Sequence, residues 1–379
     1  MAKTDRIELI KQIEEEVNAN LIAYVVGDRR GLGFPIAGDV VKILYEQLLL
    51  FSNNPTKKEN IALFLYSRGG HGDVPWQIVP MIREFSNGFY VLVPYRAHSA
   101  ATLIALGADK VFMGRKGELG PVDPSSQSLL HPINPYAELK QPLPIGVEDV
   151  TSYLSLIKKV GLVKQTEVAK SFNLLAEKVG PLALGNLMRF HSHTMLLIER
   201  LLKTHKIMPK KRKIKHIIEN LTEKIFFHGH AIGRKEAIND IGLDVQYPNE
   251  KLEKLIWDLY LQYEKEMKLT EPFEREFILL GNESAEERGL IAAYIESTEK
   301  TNVCKLDLSL KKKRKTPSTL NLNVNVSLPP GLDASRLPAN FMQQLRQNIQ
   351  RIVNDQVRIQ SPVVGIETKT IGGGWQEES

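Results

Sequence analysis

The sequence predicts an α/β fold, and three observations carry that expectation. Short apolar runs without polar alternation, LIAYVV (Leu21 to Val26), IALFLYS (Ile61 to Ser67) and FYVLVPY (Phe89 to Tyr95), read as strands buried on both faces. A helix-periodic segment follows each of them. The handovers between strand and helix are rich in Gly, Pro and Asp, as turns require.

The elements follow in order. Residues 4–18 have the spacing of an opening helix before the first strand. GDRRGLGFPIAG is a loop, and DVVKILYEQLLLF (Asp39 to Phe51) is helical with an Asp at its start. After the second strand, RGGHGD is a tight loop and VPWQIVPMIREF a helix with Pro in its first turn. The third strand hands over to a helix from Ala100 to Ala108, then KVFMG (Lys110 to Gly114) is a short fourth strand. Strands alternating with helices imply a largely parallel sheet.

Beyond GELGPVDP (Gly117 to Pro124) the character changes. Residues 125–146 are Pro-rich and polar, as in a loop or lid, and Gly146 to about Leu269 is mostly helical in pattern. The run from Lys203 to Lys215 holds seven Lys or Arg and no acid, either a solvated helix end or an anionic partner's surface. From about Cys304, KLDLSL and TLNLNVNVSL alternate as strands do, with KKKRK between them expected as a charged hairpin turn. LPANFMQQLRQNIQRIVNDQV is an amphipathic helix, and IGGGWQEES is expected to be flexible with Trp375 exposed. The expected domains are a core at 1–146, a helical extension with the closing segment of the core at 147–300, and an α+β accessory unit at 301–379.

Composition narrows the class. At 379 residues the chain exceeds one ordinary core. With 42% hydrophobic and 25% charged residues it is a globular composition. The single cysteine, Cys304, excludes an internal disulfide framework and fits a reducing, cytoplasmic compartment. A charged start with no apolar signal core, and no run of 18 uncharged apolar residues, lead to the expectation of no transmembrane segment. The formal net charge of +6 is too modest to imply nucleic acid as a partner.

One stretch, YRAHSAATLIALGADK, raises the functional question. Ser99 stands where a strand meets a helix, where amide groups are unpaired and the helix dipole favours negative charge. Those conditions stabilise an oxyanion. SRGGHG (Ser67 to Gly72) ends the preceding strand, and parallel neighbours would bring its glycines beside Ser99. Ala97, Ala100, Ala101 and Thr102 are small and would leave room for a peptide or acyl group. A serine at a helix start is more often only an N-cap, and a double glycine only a turn; their order and spacing together favour catalysis.

LFLYSRGGHGD, AHSAATLIALGADKVFMG and GELGPVDP resemble the serine dehydrogenase proteinase family, in the signal peptide peptidase A and Clp protease-like clan of serine peptidases. The resemblance covers about residues 20–125, and HGHAIGRKEAINDIGLDV (His228 to Val245) is similar to the clan's closing segment. It implies a crotonase/Clp-like β–β–α superhelical core with a helical extension and a small α+β C-terminal unit. It also implies Ser99 as acyl-transfer nucleophile, with the amide of Gly69 or Gly70 and that of Ala100 as the oxyanion hole. The family usually has Gly where Ala101 stands, which keeps a small residue there.

A serine hydroxyl needs a base within hydrogen-bond reach. His98 is adjacent, but side chains of neighbouring residues at a strand end point apart. Asp123 and His131 lie where Clp proteases carry their histidine. Signal peptide peptidase relatives use a lysine beyond the LG turn, and Lys140, 41 residues after Ser99 (140 − 99), answers that description. Leu139, Pro142 and Leu143 could bury it, as a neutral lysine base requires. Lys158 and Lys159, on an amphipathic helix, are weaker candidates. His191 and His193 have i,i+2 spacing, and His228 and His230 find no further ligands, so no metal or other cofactor is expected.

The leading expectation is a serine endopeptidase of the Ser–Lys type, acting on a peptide or protein as a homo-oligomer. The competing readings are an inactive peptide-binding scaffold of the same fold and a crotonase-type acyl-CoA enzyme. Leu337, Phe341, Leu345, Ile349 and Ile352 form a stripe along the last helix, which either packs on its own hairpin at residues 305–328 or docks on a neighbouring copy or a partner protein at the C-terminal unit.

Overall fold

The computed structural model describes residues 2–53, 57–122, 145–161, 165–222, 229–317, 319 and 339–378. Contacts divide the chain into two compact units: residues 1–273, 289–306 and 373–379, and residues 274–288 with 307–372.

The first unit opens with α1 (Ala2–Val17), β1 (Asn20–Val26), the short pair β2 (Asp28–Arg29) and β3 (Leu32–Gly33), and α2 (Val40–Ser52). Then β4 (Asn60–Tyr66), α3 (Val74–Glu84), β5 (Gly88–Val93), β6 (Arg96–Ala97), α4 (Ala100–Leu106), β7 (Lys110–Met113) and β8 (Glu118–Leu119) follow. These match the expected elements closely. The helical stretch comprises α5 (Val147–Gly161), α6 (Gln165–Val179), α7 (Pro181–Leu202) and α8 (Lys211–Thr222). The closing segment contains β9 (Ile232–Gly233), α9 (Arg234–Glu236), a π-helical turn (Ala237–Ile241) and β10 (Val245–Gln246), before α10 (Glu250–Glu266). Gly242 ends the π turn in the left-handed region at φ +85°, a conformation that glycine adopts without penalty.

The main sheet runs in the order β10-β7-β5-β4-β1-β11-β12-β13, where β11 is Ser284–Glu296, β12 Thr301–Arg314 and β13 Val363–Glu377. From β10 to β1 every pairing is parallel; β11 joins β1 antiparallel. A second sheet, β6-β8-β9, carries the strand ends next to Ser99. The expected α/β class is what the chain adopts, with a mostly parallel sheet between two layers of helices.

The buried strands have two apolar faces, and the period of two assigns each residue to one. Ile22, Tyr24, Leu63, Leu65, Val91 and Val93 face α2, α3, α4, α7 and α8. Leu21, Ala23, Ala62, Phe64 and Leu92 face α1 and α10. On that second side Arg6 of α1 is buried against Glu296 of β11, with bonds of 2.7 and 3.1 Å. The Tyr263 hydroxyl and Thr301 Oγ1 donate to the same carboxylate at 2.5 and 2.8 Å. One carboxylate therefore ties α1, α10 and two strands together.

The second unit comprises α11 (Arg275–Ile278), α12 (Ala339–Gln360) and the parts of β11, β12 and β13 within its bounds. Arg314 organises it. Its guanidinium bonds Glu283 at 3.0 and 2.8 Å and donates to the carbonyls of Ser361 and Arg358 beyond and within the last turn of α12. A cation there complements the negative helix end.

Two expectations need correction. KKKRK is not a hairpin turn, because β12 continues through Arg314. The tail is not a free segment: β13 runs to Glu377, and the Trp375 indole N–H donates to Asp39 Oδ2 at 2.8 Å and packs on the core. Backbone pairing, such as Lys312 N–H donating to the Glu283 carbonyl at 2.9 Å, outweighs local charge and glycine content in both cases. TLNLNVNVSL, expected as a strand, lies outside the described residues apart from Thr319.

Removing one partner of a buried ion pair strands the other charge. Arg6→Met is therefore expected to cost about 3–5 kcal/mol. Urea unfolding will measure it, and an unchanged midpoint would show that the Glu296 cluster contributes nothing.

Candidate active site

The backbone builds the site first. Ser67 N–H donates to the Arg96 carbonyl at 2.9 Å, and His98 N–H donates to the Ser67 carbonyl at 3.0 Å. This parallel bridge lays the end of β4 along β6. SRGG and HSA thus run side by side, as their sequence order led one to expect.

Ser99 then makes a sharp corner, with φ 52° and ψ −114°. These angles are near the first corner of a type II′ turn, at about +60° and −120°, which glycine dominates. The turn is closed by Ala101 N–H donating to the His98 carbonyl at 2.9 Å. A non-glycine residue held there costs on the order of 1–3 kcal/mol. Ser99 occupies the N-cap position of α4, yet its hydroxyl makes no capping bond. The commonest structural use of a serine at a helix start is therefore not the use made here.

Gly69 is what lets the corner sit so close. A Cβ on Gly69 would lie 2.8 Å from both the Ser99 Cβ and the His98 carbonyl oxygen, and its φ is +105°. Gly70 meets the opposite strand: a Cβ there would lie 2.3 Å from Ile36 backbone atoms. Ile36 N–H donates to the Gly69 carbonyl, and His71 N–H to the Ile36 carbonyl, both at 2.8 Å. The two glycines differ in their amides. Gly69 N–H donates to Ser67 Oγ at 2.9 Å. Gly70 N–H and Ala100 N–H have no hydrogen-bond acceptor among the described residues.

The small residues around Ser99 do something other than expected. Ala97, Ala100, Ala101 and Thr102 are all buried, and the three alanines pack in the core. Thr102 acts as a staple: Oγ1 lies 2.7 Å from the Ala97 carbonyl and 2.9 Å from that of Gly120, and accepts Gly120 N–H at 3.1 Å. It ties the start of α4 to β6 and to the LGP turn. Sequence reasoning missed this role because a threonine in an Ala-rich helix carries no local signal.

A charged network supports the same strand ends. Asp28 Oδ2 accepts from Arg68 at 2.8 Å and Arg96 at 2.9 Å, and Oδ1 accepts the Tyr66 hydroxyl at 2.6 Å. Arg96 Nε also lies 3.4 Å from Glu118. His98 packs on Gly120, with Nε2 3.3 Å from Glu118 Oε1 but without hydrogen-bond geometry. Burial lowers the His98 pKa below the ordinary imidazole value; Glu118 pulls it up, and Arg68 and Arg96 push it down. The ring is therefore neutral at neutral pH, and it is engaged with β8.

Of the expected site residues, Ser99, Gly69, Gly70 and Ala100 lie together. Lys140, Asp123 and His131 lie outside the described residues.

This geometry coincides with a family assignment. Residues 1–182 match the family described as ClpP-like SDH-type serine proteinase. The match spans the first 182 residues of the 379 and includes Gly69, Gly70, Ser99 and Ala100. An uncharacterised protein of Methanocaldococcus jannaschii is 25% identical over 259 residues, 68% of this chain and 79% of that protein. A second uncharacterised protein of the same organism is 28% identical over 46% of this chain and 59% of its own length. Solved structures similar to this chain include a serine-to-alanine mutant of the 1510-N membrane-bound stomatin-specific protease, at 15% identity and TM-score 0.35, covering 62% of this chain and 83% of that one. ClpP1 from Listeria monocytogenes is 15% identical, with TM-score 0.33, over 64% of this chain and 97% of that one. Among the described residues, no helix is long and apolar enough to cross a membrane.

The close approach at Gly69 gives a direct test. Gly69→Ala is expected to destabilise by about 1–3 kcal/mol, from a left-handed φ and a clash with Ser99. Gly72→Ala, with no atom within 4 Å of the added methyl, is the control and should leave stability unchanged. Equal denaturation midpoints for the two variants would contradict the packing described.

Proposed function

We propose that the chain is a cytoplasmic serine endopeptidase that works through an acyl-enzyme, with Ser99 as nucleophile. The observation that carries this reading is the Ser99 corner. A strained backbone holds a hydroxyl that caps nothing, against a glycine with no side chain to obstruct it. Strain retained at one residue is a mark of functional positions.

In the proposed cycle, Ser99 Oγ attacks the substrate carbonyl carbon and its proton passes to the base. The tetrahedral oxyanion accepts hydrogen bonds from the Gly70 and Ala100 amides. Gly69 is the less suited of the two glycines, since its N–H is already given to Ser67 Oγ. The start of α4 adds partial positive charge at the same place. Collapse of the intermediate expels the amine, which takes the proton from the base. Water then attacks the ester and releases Ser99. Lys140 is the proposed base, from its place in the sequence and the resemblance to lysine-using relatives; Asp123 and His131 are the alternatives.

Labelling by a fluorophosphonate probe tests the assignment. Wild type should react, and Ser99→Ala should lose labelling and peptidase activity while remaining folded. Ser99→Gly should be equally inert yet more stable than Ser99→Ala by about 1 kcal/mol, because the corner is then relaxed. Lys140→Ala should slow labelling nearly as much as loss of the serine, and wild-type labelling should rise with pH as the lysine deprotonates. Undiminished labelling of Ser99→Ala would remove the nucleophile assignment; a silent Lys140→Ala would move the base to Asp123 or His131.

We also propose a homo-oligomer, at least a dimer, since an unenclosed peptidase would attack other proteins. Light scattering at micromolar concentration should give at least twice the 42.8 kDa chain mass. A monomeric mass with full activity would overturn enclosure and favour control by a partner at the C-terminal unit.

A further inference from the structure

The strands that deliver Ser99 do so at their C-terminal ends. At their N-terminal ends the first unit has a separate cleft of about 630 Å³, reached by Asn60, Gly88 and Lys110 at the starts of β4, β5 and β7. That volume is in the range of small-molecule sites, roughly 300–1,000 Å³. Nothing in the proposed peptidase chemistry uses it.

Its walls are of two kinds. The floor is apolar: Leu106 at the end of α4, Val111 of β7, Leu202 at the end of α7, Ile217 of α8, and Leu243. The rim comes from the basic run that the sequence singled out, and it places Lys206, Lys210 and Lys213 around the opening. These three exposed lysines have no ion-pair partner among the described residues. Ile207 and Met208, 87% and 61% exposed, stand between them as apolar side chains on the same lip.

The acids of the cleft do not outnumber this rim. Asp109 is committed elsewhere: it accepts from Arg83 at 2.5 and 3.1 Å, from Phe89 N–H at 2.9 Å and from Lys206 N–H at 2.8 Å. Asp244 accepts from the neutral Gln246 amide at 2.6 Å and is one carboxylate against the three lysines of the rim. His205 is also occupied, its Nε2 lying 2.7 Å from the Leu106 carbonyl. The first turn of α8, which begins at Lys211, carries no acid. The lysines there add to the partial positive charge of the helix start.

The geometry points to a binding site for a small amphiphilic anion, an apolar chain ending in a carboxylate, with the chain on the Leu106–Leu243 floor and the head among Lys206, Lys210 and Lys213. A free inorganic anion would leave the floor unused. A neutral apolar molecule would leave the lysines unpaired. The inference does not depend on the peptidase reading.

Decanoate is the probe, titrated calorimetrically into the full chain at low ionic strength. Saturable binding at one site is expected. Acetate and decyltrimethylammonium, which lack the chain and the negative charge respectively, should not compete. Lys206→Gln/Lys210→Gln/Lys213→Gln should weaken decanoate at least tenfold, with the melting temperature recorded to show that the variant is folded. As a readout independent of any variant, 0.5 M salt should weaken wild-type binding, since screening shortens the reach of exposed charges. No saturable decanoate binding, equal competition by acetate, or unchanged affinity in the triple variant would each overturn the assignment. Fluorophosphonate labelling of Ser99 in the triple variant should be normal, which separates the fate of this site from that of the peptidase.

Discussion

The candidate site depends on one backbone contact, the parallel bridge between Ser67 and Ala97. Two hydrogen bonds fix the end of β4 against β6, and everything else follows from that register. Gly69 is brought onto the Ser99 Cβ, where any side chain would collide. Ser99 is then forced into a corner that its own preferences oppose. A strained position persists only when its surroundings over-determine it, and here three elements do so: the β4 end, the closed turn at His98 to Ala101, and the Thr102 staple to Gly120.

The surrounding charges are arranged to hold that corner. Asp28 is nearly buried and receives two arginines and a tyrosine hydroxyl, so its lone pairs are well satisfied. The same Arg96 reaches Glu118 in the second sheet. A buried carboxylate must be paired to be tolerated, and the pairing here crosslinks β2, the β4 end, β6 and β8. Elsewhere in the first unit Glu296 plays a comparable part with Arg6, Tyr263 and Thr301. Both clusters place an ionic centre where helices and strands from distant parts of the sequence meet.

Two features of the first unit have opposite characters. The Ser99 corner offers amides without acceptors at the C-terminal strand ends. The cleft at the N-terminal strand ends offers apolar walls and unpaired lysines. Their separation follows from the parallel sheet, which sends its two kinds of loop to opposite ends.

Much of this protein was legible in its residues. Unalternating apolar runs of six or seven residues bounded by turn residues fit doubly buried strands, so Leu21–Val26, Ile61–Ser67 and Phe89–Tyr95 and their parallel order were readable. Ser99 and the Gly69–Gly70 pair were readable too, because a hydroxyl at a strand–helix junction and a double glycine one βα unit earlier are local patterns. What the sequence left open is what depends on contacts between distant segments. Whether Ser99 caps its helix or stands free, and which glycine keeps its amide unpaired, are decided by φ, ψ and by Ser67 Oγ. The roles of Asp28, Arg96 and Thr102 appear only when β2, β6 and β8 converge. Lys311–Arg314 and Trp375 were misjudged for the same reason: local charge and glycine content describe a segment alone, whereas strand pairing is a property of two segments, and the partner is chosen by the tertiary fold.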